Sequence, residues 1–143
     1  MMTMKQILRG VLLLFIAFRA SAQAPAAPDP AREAANSLAV KYHLTAEQTE
    51  QMYAIQARKQ RNLAAIQAIQ SDNPALYRAK LRSIQDGTQA SIGRLLNTPE
   101  QLRAFEQTRA EQRRLRSQKI EALSAEGAAQ EAIQDAALAI YLE

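Results

Sequence analysis

An apolar stripe with the period of an α-helix runs through residues 74–96. Its members are spaced by three or four residues, and no charged side chain falls among them. They are Tyr77, Leu81, Ile84, Thr88, Ile92 and Leu95. This spacing places all six side chains on one side of a helix, and Pro74 stands where proline favours the first helical turn. The segment is therefore predicted to be the central helix of an all-α fold, with Asp86-Gly87 and Gly93 as points where it could kink or split.

Four further helices are predicted around this one, over residues 31–42, 46–70, 99–125 and 128–142. Pro99 is placed to open the helix from 99. Gly127 is placed to end that helix and to separate it from the last one, which is rich in Ala. No proline falls inside a predicted helix.

Two of these helices combine apolar ends with a polar centre. In the helix from 46, Lys59 and Asn62 interrupt a stripe whose apolar members are Met52, Ile55, Leu63, Ile66 and Ile69. In the helix from 99, the apolar ends of the line are Leu102, Phe105, Ile120 and Leu123. The polar side chains in the middle of that line are Arg109, Gln112, Arg113 and Arg116. Both helices are therefore predicted to have apolar ends and a polar centre on one face.

Large apolar side chains are too few for a thick core. From Gln23 onward the chain has 26 Ala, but only 22 Leu, Ile, Val and Met and 5 aromatic residues, with no Trp. Ala favours helix formation yet buries little surface. Because long helices with narrow stripes leave apolar surface uncovered, we expect a second copy of the chain to cover it, in a homodimer.

The first 22 residues are predicted to be a cleaved signal peptide. Lys5 and Arg9 precede an apolar run at 11–18, and Ala-Ser-Ala at 20–22 provides a small-residue cleavage site. The run has eight residues, whereas a bilayer span takes roughly 20, so stable membrane insertion is not expected. A periplasmic location follows, without a lipobox because the chain has no Cys.

Residues 23–31 are predicted to be a flexible Pro/Ala linker. They contain Pro25, Pro28 and Pro30 among Ala and Asp, a composition typical of tethers. The helical domain is then expected to span residues 32–143, which is an ordinary size for one domain.

Charge is segregated along the mature chain. Residues 58–119 hold 13 Lys/Arg and 5 Asp/Glu, a net of +8, whereas residues 120–143 hold five acidic residues and no basic ones. Two interpretations stay open: the acidic tail folds back over the basic middle, or the middle offers a basic, partly apolar surface to a flexible anionic or amphipathic partner. Nucleic acid is not an expected partner, because the exported chain has a net charge of only +1.

Catalytic and cofactor chemistry is not predicted. Without Cys, thiol catalysis, disulfides and zinc–thiolate sites are excluded. The one histidine, His43, stands just before a helix cap and forms no closed metal site with Glu47. Carboxylates are explained by helix ends and solvated faces, and the sequence has no Gly-rich loop for ATP. We therefore expect no enzyme activity, no metal and no cofactor.

Two helix-capping motifs open the two helices with polar centres. In Leu44-Thr45-Ala46-Glu47-Gln48, the Thr45 hydroxyl is placed to accept from the backbone N–H of Gln48, and the Gln48 side chain to accept from the backbone N–H of Thr45. Leu44 provides an apolar anchor. Thr98-Pro99-Glu100-Gln101 is predicted to repeat this capping box 53 residues later, with Asn97 inserted between Leu96 and Thr98.

On these two motifs the chain resembles the LTxxQ-motif periplasmic proteins, the family of Spy and CpxP, over roughly residues 38–123. The resemblance implies an elongated helical hairpin of three to five helices that pairs as an antiparallel, cradle-like homodimer. It also implies an ATP-independent chaperone of the envelope-stress response, or a restraint on an envelope-stress sensor. Some relatives sense metal through histidine-rich sites that this sequence lacks. The predicted last helix lies outside the matching region.

Two functions are therefore considered. In the first, the mixed basic and apolar face binds unfolded or amphipathic protein segments by charge steering and small apolar contacts. The predicted binding residues are Lys59, Leu102, Phe105, Arg109, Arg113 and Arg116, and the predicted capping residues are Leu44, Thr45, Gln48, Thr98 and Gln101. In the second, the protein is a regulatory or scaffold module that binds one periplasmic sensor domain or other envelope component. The structural alternative is that the Arg and Lys stems only cover the core.

Overall fold

The computed structural model describes residues 27–140, and within them the chain forms six α-helices and no strand. In chain order they are α1 (Pro30–Tyr42), α2 (Ala46–Gln67), α3 (Ile69–Asp72), α4 (Pro74–Leu95), α5 (Pro99–Ala125) and α6 (Gln130–Ala139). The all-α prediction is confirmed. The predicted signal peptide lies outside the described residues, as does the end of the predicted last helix.

Helix α1 begins inside the segment predicted to be a linker. Asp29 is its N-cap, and one carboxylate oxygen accepts from the backbone N–H of Ala31 at 2.9 Å. Pro30 occupies the first helical position, where its missing N–H costs nothing. Ala31 and Ala35 are buried as α1 packs on α2. Pro30 and Ala31, at the C-terminal end of the predicted linker of 23–31, are therefore helical, because the last proline opens α1.

The helix predicted over residues 46–70 is divided in the structure. α2 ends at Gln67, and the single turn α3 follows Ala68, which keeps right-handed helical angles (φ −64°, ψ −23°). Asn73 then turns the chain, and its side chain caps α4 by accepting from the backbone N–H of Leu76 at 3.0 Å. Packed against α2, α4 is continuous through Gly87 and Gly93, without a break at either glycine.

Two separate apolar clusters hold these helices together. The motif-end cluster consists of Ala35, Tyr42, Met52, Ile92, Leu96 and Phe105, with the rings of Tyr42 and Phe105 edge to face at 5.9 Å. The far cluster consists of Ile66, Leu81 and Leu138. Between them lie the buried polar side chains Gln56, Gln85 and Thr88. The predicted apolar ends of α2 thus enter two different clusters, and the apolar stripe of α4 runs from one cluster to the other.

The last two helices are joined by the predicted glycine stop. Gly127 adopts φ +71°, and the N–H of Ala128 donates to the Leu123 carbonyl at 3.0 Å while the Gly127 N–H donates to Ser124 at 3.1 Å. This is a Schellman motif. It turns α6 back against α5 and α4, where Ile133, Ala137 and Leu138 are buried.

Over residues 27–140, none of the six helices combines the length and the apolar character needed to span a bilayer.

Candidate functional site

The two motif glutamines meet in the buried interior. The side-chain NH₂ of Gln101 donates to the amide oxygen of Gln48 at 2.8 Å, and the NH₂ of Gln48 donates back to Gln101 at 3.2 Å. Both residues are buried: Gln48 is 6% exposed and Gln101 is 3% exposed. Two amides satisfy each other in this way because each carries both a donor and an acceptor. The two capping motifs, 53 residues apart, are therefore one structural unit.

Each glutamine also binds the end of a helix other than its own. Gln48 donates to the carbonyl of Leu95 at the end of α4 at 3.1 Å, and Gln101 donates to the carbonyl of His43 after α1 at 3.1 Å. Carbonyls in the last turn of a helix have no partner within the helix. The glutamine pair thus caps two helix C-termini while it takes part in opening α2 and α5.

The first capping box forms as predicted and the second does not. Thr45 and Gln48 exchange both bonds, at 3.0 and 3.2 Å. Thr98 accepts from the N–H of Gln101 at 3.2 Å, but the Gln101 side chain accepts from the N–H of Asn97 at 3.1 Å instead of from Thr98. The predicted bond from the Thr98 N–H to the Gln101 side chain is therefore not formed, and the prediction of a closed box at 98–101 is wrong in this respect. The extra residue, Asn97, supplies the N–H that Thr98 would otherwise provide.

The apolar residues before the two caps both reach the motif-end cluster. Leu96 is buried within it, and Leu44 is half-buried against it. The insertion of Asn97 therefore does not remove the second apolar anchor. His43 ends α1 in the left-handed region (φ 53°, ψ 49°), and its exposed ring lies 3.9 Å from Glu100.

A groove of about 720 Å³ lies between α4 and α5 and reaches Leu138 of α6. Within the described part of the chain, α5 packs against α1 and α6 and makes little close contact along α4. One wall consists of the α5 residues Leu102, Phe105, Glu106, Arg109, Gln112, Arg113 and Arg116. The opposite wall consists of the α4 residues Arg82, Gln85, Asp86, Gln89, Ala90 and Gly93. The groove is thus lined by four arginines, three on the α5 wall and one on the α4 wall, around a space large enough for a ligand.

Five of the six predicted binding residues line this groove together, all from α5. Leu102 is 42% exposed, whereas Phe105 is buried with its ring beneath the Arg109 guanidinium at 5.7 Å. Arg109 also pairs with Glu106 on the same helix at 3.2 Å. The structure therefore places basic and apolar groups of α5 on one wall of the groove.

Lys59, the sixth predicted residue, lies on α2 and is not part of the groove wall. It is half-buried at the level between the two apolar clusters, and desolvation by burial lowers the pKa of its ammonium group. Lys59 therefore does not share the groove wall with the arginines of α5. Its half-buried side chain is part of the packing around α2.

The acidic C-terminal segment does fold back on the basic middle, but onto one arginine of α4. Arg78, only 15% exposed, lies 3.8 Å from Glu131 and 3.4 Å from Asp135 of α6. Arg113 remains exposed in the groove, and no described carboxylate lies within ion-pair distance of it. The acidic tail therefore folds back onto the basic middle only at Arg78 in the described residues. A basic surface remains on the groove wall, as the interpretation with a flexible anionic or amphipathic partner requires.

Sequence reasoning missed the α4 wall of the groove. Arg82, Gln85 and Gln89 recur at three and four residues, on the face of α4 next to its apolar stripe. That spacing was available in the sequence, but a polar row beside an apolar one is also the pattern of an ordinary solvated face. Only the divergence of α5 from α4 turns this row into a wall.

Metal ligands do not converge anywhere in residues 27–140, where no group of three His, Cys, Asp or Glu side chains has the geometry to hold an ion. Comparison with protein-family models, with curated proteins and with solved structures found no match to this chain. The resemblance to the LTxxQ proteins therefore remains a prediction from the two sequence motifs.

Proposed function

We propose that this protein is an ATP-independent chaperone-like protein of the periplasm that loosely binds unfolded or amphipathic protein segments during envelope stress. The observation that supports this most is the groove wall in which Arg109, Arg113 and Arg116 stand beside Leu102 and Phe105. Charge steers a flexible chain toward such a wall, and shallow apolar contacts hold it without a deep pocket. Weak, reversible binding of this kind needs no nucleotide.

The arrangement of the chain in this proposal follows the LTxxQ resemblance. The helices form a hairpin-based cradle, and two copies pair as a homodimer that covers part of the exposed apolar surface. Val40, Leu76 and Leu115 are large apolar side chains that are 79%, 43% and 42% exposed in the single chain. Light scattering of the mature protein at micromolar concentration is expected to give twice the chain mass, and a monomeric mass would contradict the dimer.

The binding surface is tested by reversing its charge. The variant Arg109→Glu/Arg113→Glu/Arg116→Glu is expected to lose most of its ability to suppress aggregation of an unfolded client in a light-scattering assay. The matched control is Arg61→Glu/Lys80→Glu/Arg94→Glu, which makes the same change of charge at exposed positions outside the groove. Equal protection by the two variants would remove the groove from the proposal.

A further inference from the structure

Two glutamine side chains in the α4 wall have polar atoms without partners. The amide oxygens of Gln85 and Gln89 are shielded from solvent and accept no hydrogen bond from any described residue. Gln85 is only 7% exposed, yet both residues line the groove. A buried acceptor without a donor is unfavourable, so a ligand that supplies an N–H to it gains affinity. Binding therefore requires a rotation about the terminal torsion of each Gln, which is broad, to bring its oxygen to the groove surface.

The spacing of the two glutamines matches an extended polypeptide. They lie four residues apart on one face of α4, which is about 6 Å along the helix axis. The N–H groups on one edge of an extended chain recur every second residue, at about 6.6 Å. Arg82 and Gly93 bound this wall, and the eleven residue steps from one to the other span about 16 Å. An extended segment of about five residues covers that length.

The charge of the groove selects the side chains of such a segment. Arg82, Arg109, Arg113 and Arg116 line it together with only two carboxylates, Asp86 and Glu106. Acidic side chains on the ligand complement this excess of positive charge. Apolar side chains on the alternate face of the segment contact mainly Leu102, which is 42% exposed, because Phe105 and Leu138 also line the groove but are each only 5% exposed.

We propose that the groove binds an extended acidic and apolar polypeptide segment whose main-chain N–H groups donate to the amide oxygens of Gln85 and Gln89. This rests on the proposed function and deepens it. Hydrogen bonding to the main chain explains how one site accepts many unrelated sequences, because every residue other than proline offers an N–H. The acidic preference comes from the arginines and not from the glutamines.

The test measures binding of a fluorescein-labelled peptide of about eight residues, alternating Glu and Val, by fluorescence anisotropy. A second peptide carries N-methyl groups on every residue and so has no main-chain N–H donor. Because two neutral hydrogen bonds are lost, N-methylation is expected to weaken binding to the wild-type chain about tenfold. In Gln85→Leu/Gln89→Leu the unmethylated peptide is expected to bind about tenfold more weakly, and N-methylation to have little further effect.

The control variant is Gln60→Leu/Gln67→Leu, with both changes at exposed positions of α2, and it is expected to bind like the wild type. Equal binding of the two peptides to the wild-type chain overturns the inference even if the α4 double variant fails to fold. Equal binding of a peptide with Lys in place of Glu overturns the acidic preference. Binding of oleate without binding of either peptide shows a lipid groove and also overturns it.

These outcomes separate the inference from the proposed function. If N-methylation has no effect but the triple arginine reversal still abolishes protection from aggregation, only the main-chain recognition is wrong. If the wild-type chain neither binds the acidic peptide nor suppresses aggregation, the proposed function fails as well.

Discussion

At the scale of single residues, the Gln48 and Gln101 amides join parts of the chain that nothing in the local sequence connects. Each amide accepts one backbone N–H near its own helix start and donates to a backbone carbonyl at the end of another helix. A carboxylate in either place can accept but cannot donate. Glutamine is thus required by the hydrogen-bond pattern and not only by the size of the side chain.

Replacing Gln48 by Glu is expected to destabilise the protein by about 2–4 kcal/mol at neutral pH. The substitution keeps the shape of the side chain but removes the NH₂ that donates to the Leu95 carbonyl and to the Gln101 oxygen, which then accepts only from the Asn97 N–H, and it buries a charge. Urea unfolding followed by circular dichroism measures the change. The control is Gln60→Glu, which adds the same charge at an exposed position of α2. Similar unfolding midpoints for the two variants would show that the amide pair contributes little.

A second residue-scale prediction concerns acid. Partial desolvation works to raise the pKa of Asp29, but hydrogen bonds from the Tyr53 hydroxyl and from the backbone N–H groups of Ala31 and Arg32, with the charge of Arg32, hold it below its ordinary value of 3.8. A carboxyl whose pKa is lower in the folded state stabilises the fold above pH 3.8, and this contribution is lost as the pH falls through the folded value.

The wild-type chain is therefore expected to be more stable than Asp29→Asn at pH 6, and this difference is expected to shrink as the pH falls below 3.8. Asn also caps helices well, so the comparison isolates the charge of the cap. Thermal unfolding of both proteins across this pH range gives the difference. A difference that is constant with pH would mean that the ionised carboxylate of Asp29 does not stabilise α1.

At the scale of helices, two exposed glycines are expected to respond in opposite ways to substitution. A Cβ at Gly87 meets no atom within 4 Å and the residue is helical, so Gly87→Ala is expected to stabilise α4 by about 0.5–1 kcal/mol. Gly127 has φ +71°, so Gly127→Ala is expected to destabilise by about 1 kcal/mol. Urea unfolding tests both, and a shift of the same sign for both variants would contradict the helix-end role of Gly127.

Most helix boundaries could be predicted because they are encoded by single residues with local effects. Pro74, Pro99 and Gly127 each act through their own backbone angles, and the structure places each at a helix start or stop. Two features could not be predicted in this way. The division of α2 from α3 involves no breaker residue, since Ala68 stays in the helical region. The shifted bond of Gln101 depends on where Asn97 directs its N–H, which only the tertiary arrangement fixes.

At the scale of the whole molecule, the candidate site was half predictable. The α5 wall followed from arginines in the middle of an apolar line, which is an unusual pattern for a core-facing helix. The pairing of Arg78 with Glu131 and Asp135 could not be predicted from the sequence. Residues 58–119 offer thirteen basic side chains to the five acidic residues of the C-terminal segment. Net charge predicts that opposite segments attract but not which residues meet. That choice is made by the turn at Gly127 and by the burial of Leu138 in the far cluster.

The division of the core into two clusters leads to a prediction about additivity. Ile92 belongs to the motif-end cluster and Ile66 to the far cluster. On α2, Met52, which packs with Ile92, and Ile66 are fourteen residue steps apart, a distance of about 21 Å along the helix. Truncations this far apart, with the polar layer between them, share no packing neighbour in the described core.

Ile92→Val and Ile66→Val are each expected to cost about 1 kcal/mol, and their sum is expected to equal the cost of the double variant within about 0.5 kcal/mol. The comparison is Ile66→Val with Leu81→Ala, two residues of the far cluster, for which a coupling above about 0.5 kcal/mol is expected. Urea unfolding of all the variants measures both cycles. Coupling between Ile92 and Ile66 as large as that within the far cluster would show that strain passes through the layer of Gln56, Gln85 and Thr88, and that the molecule has one core instead of two.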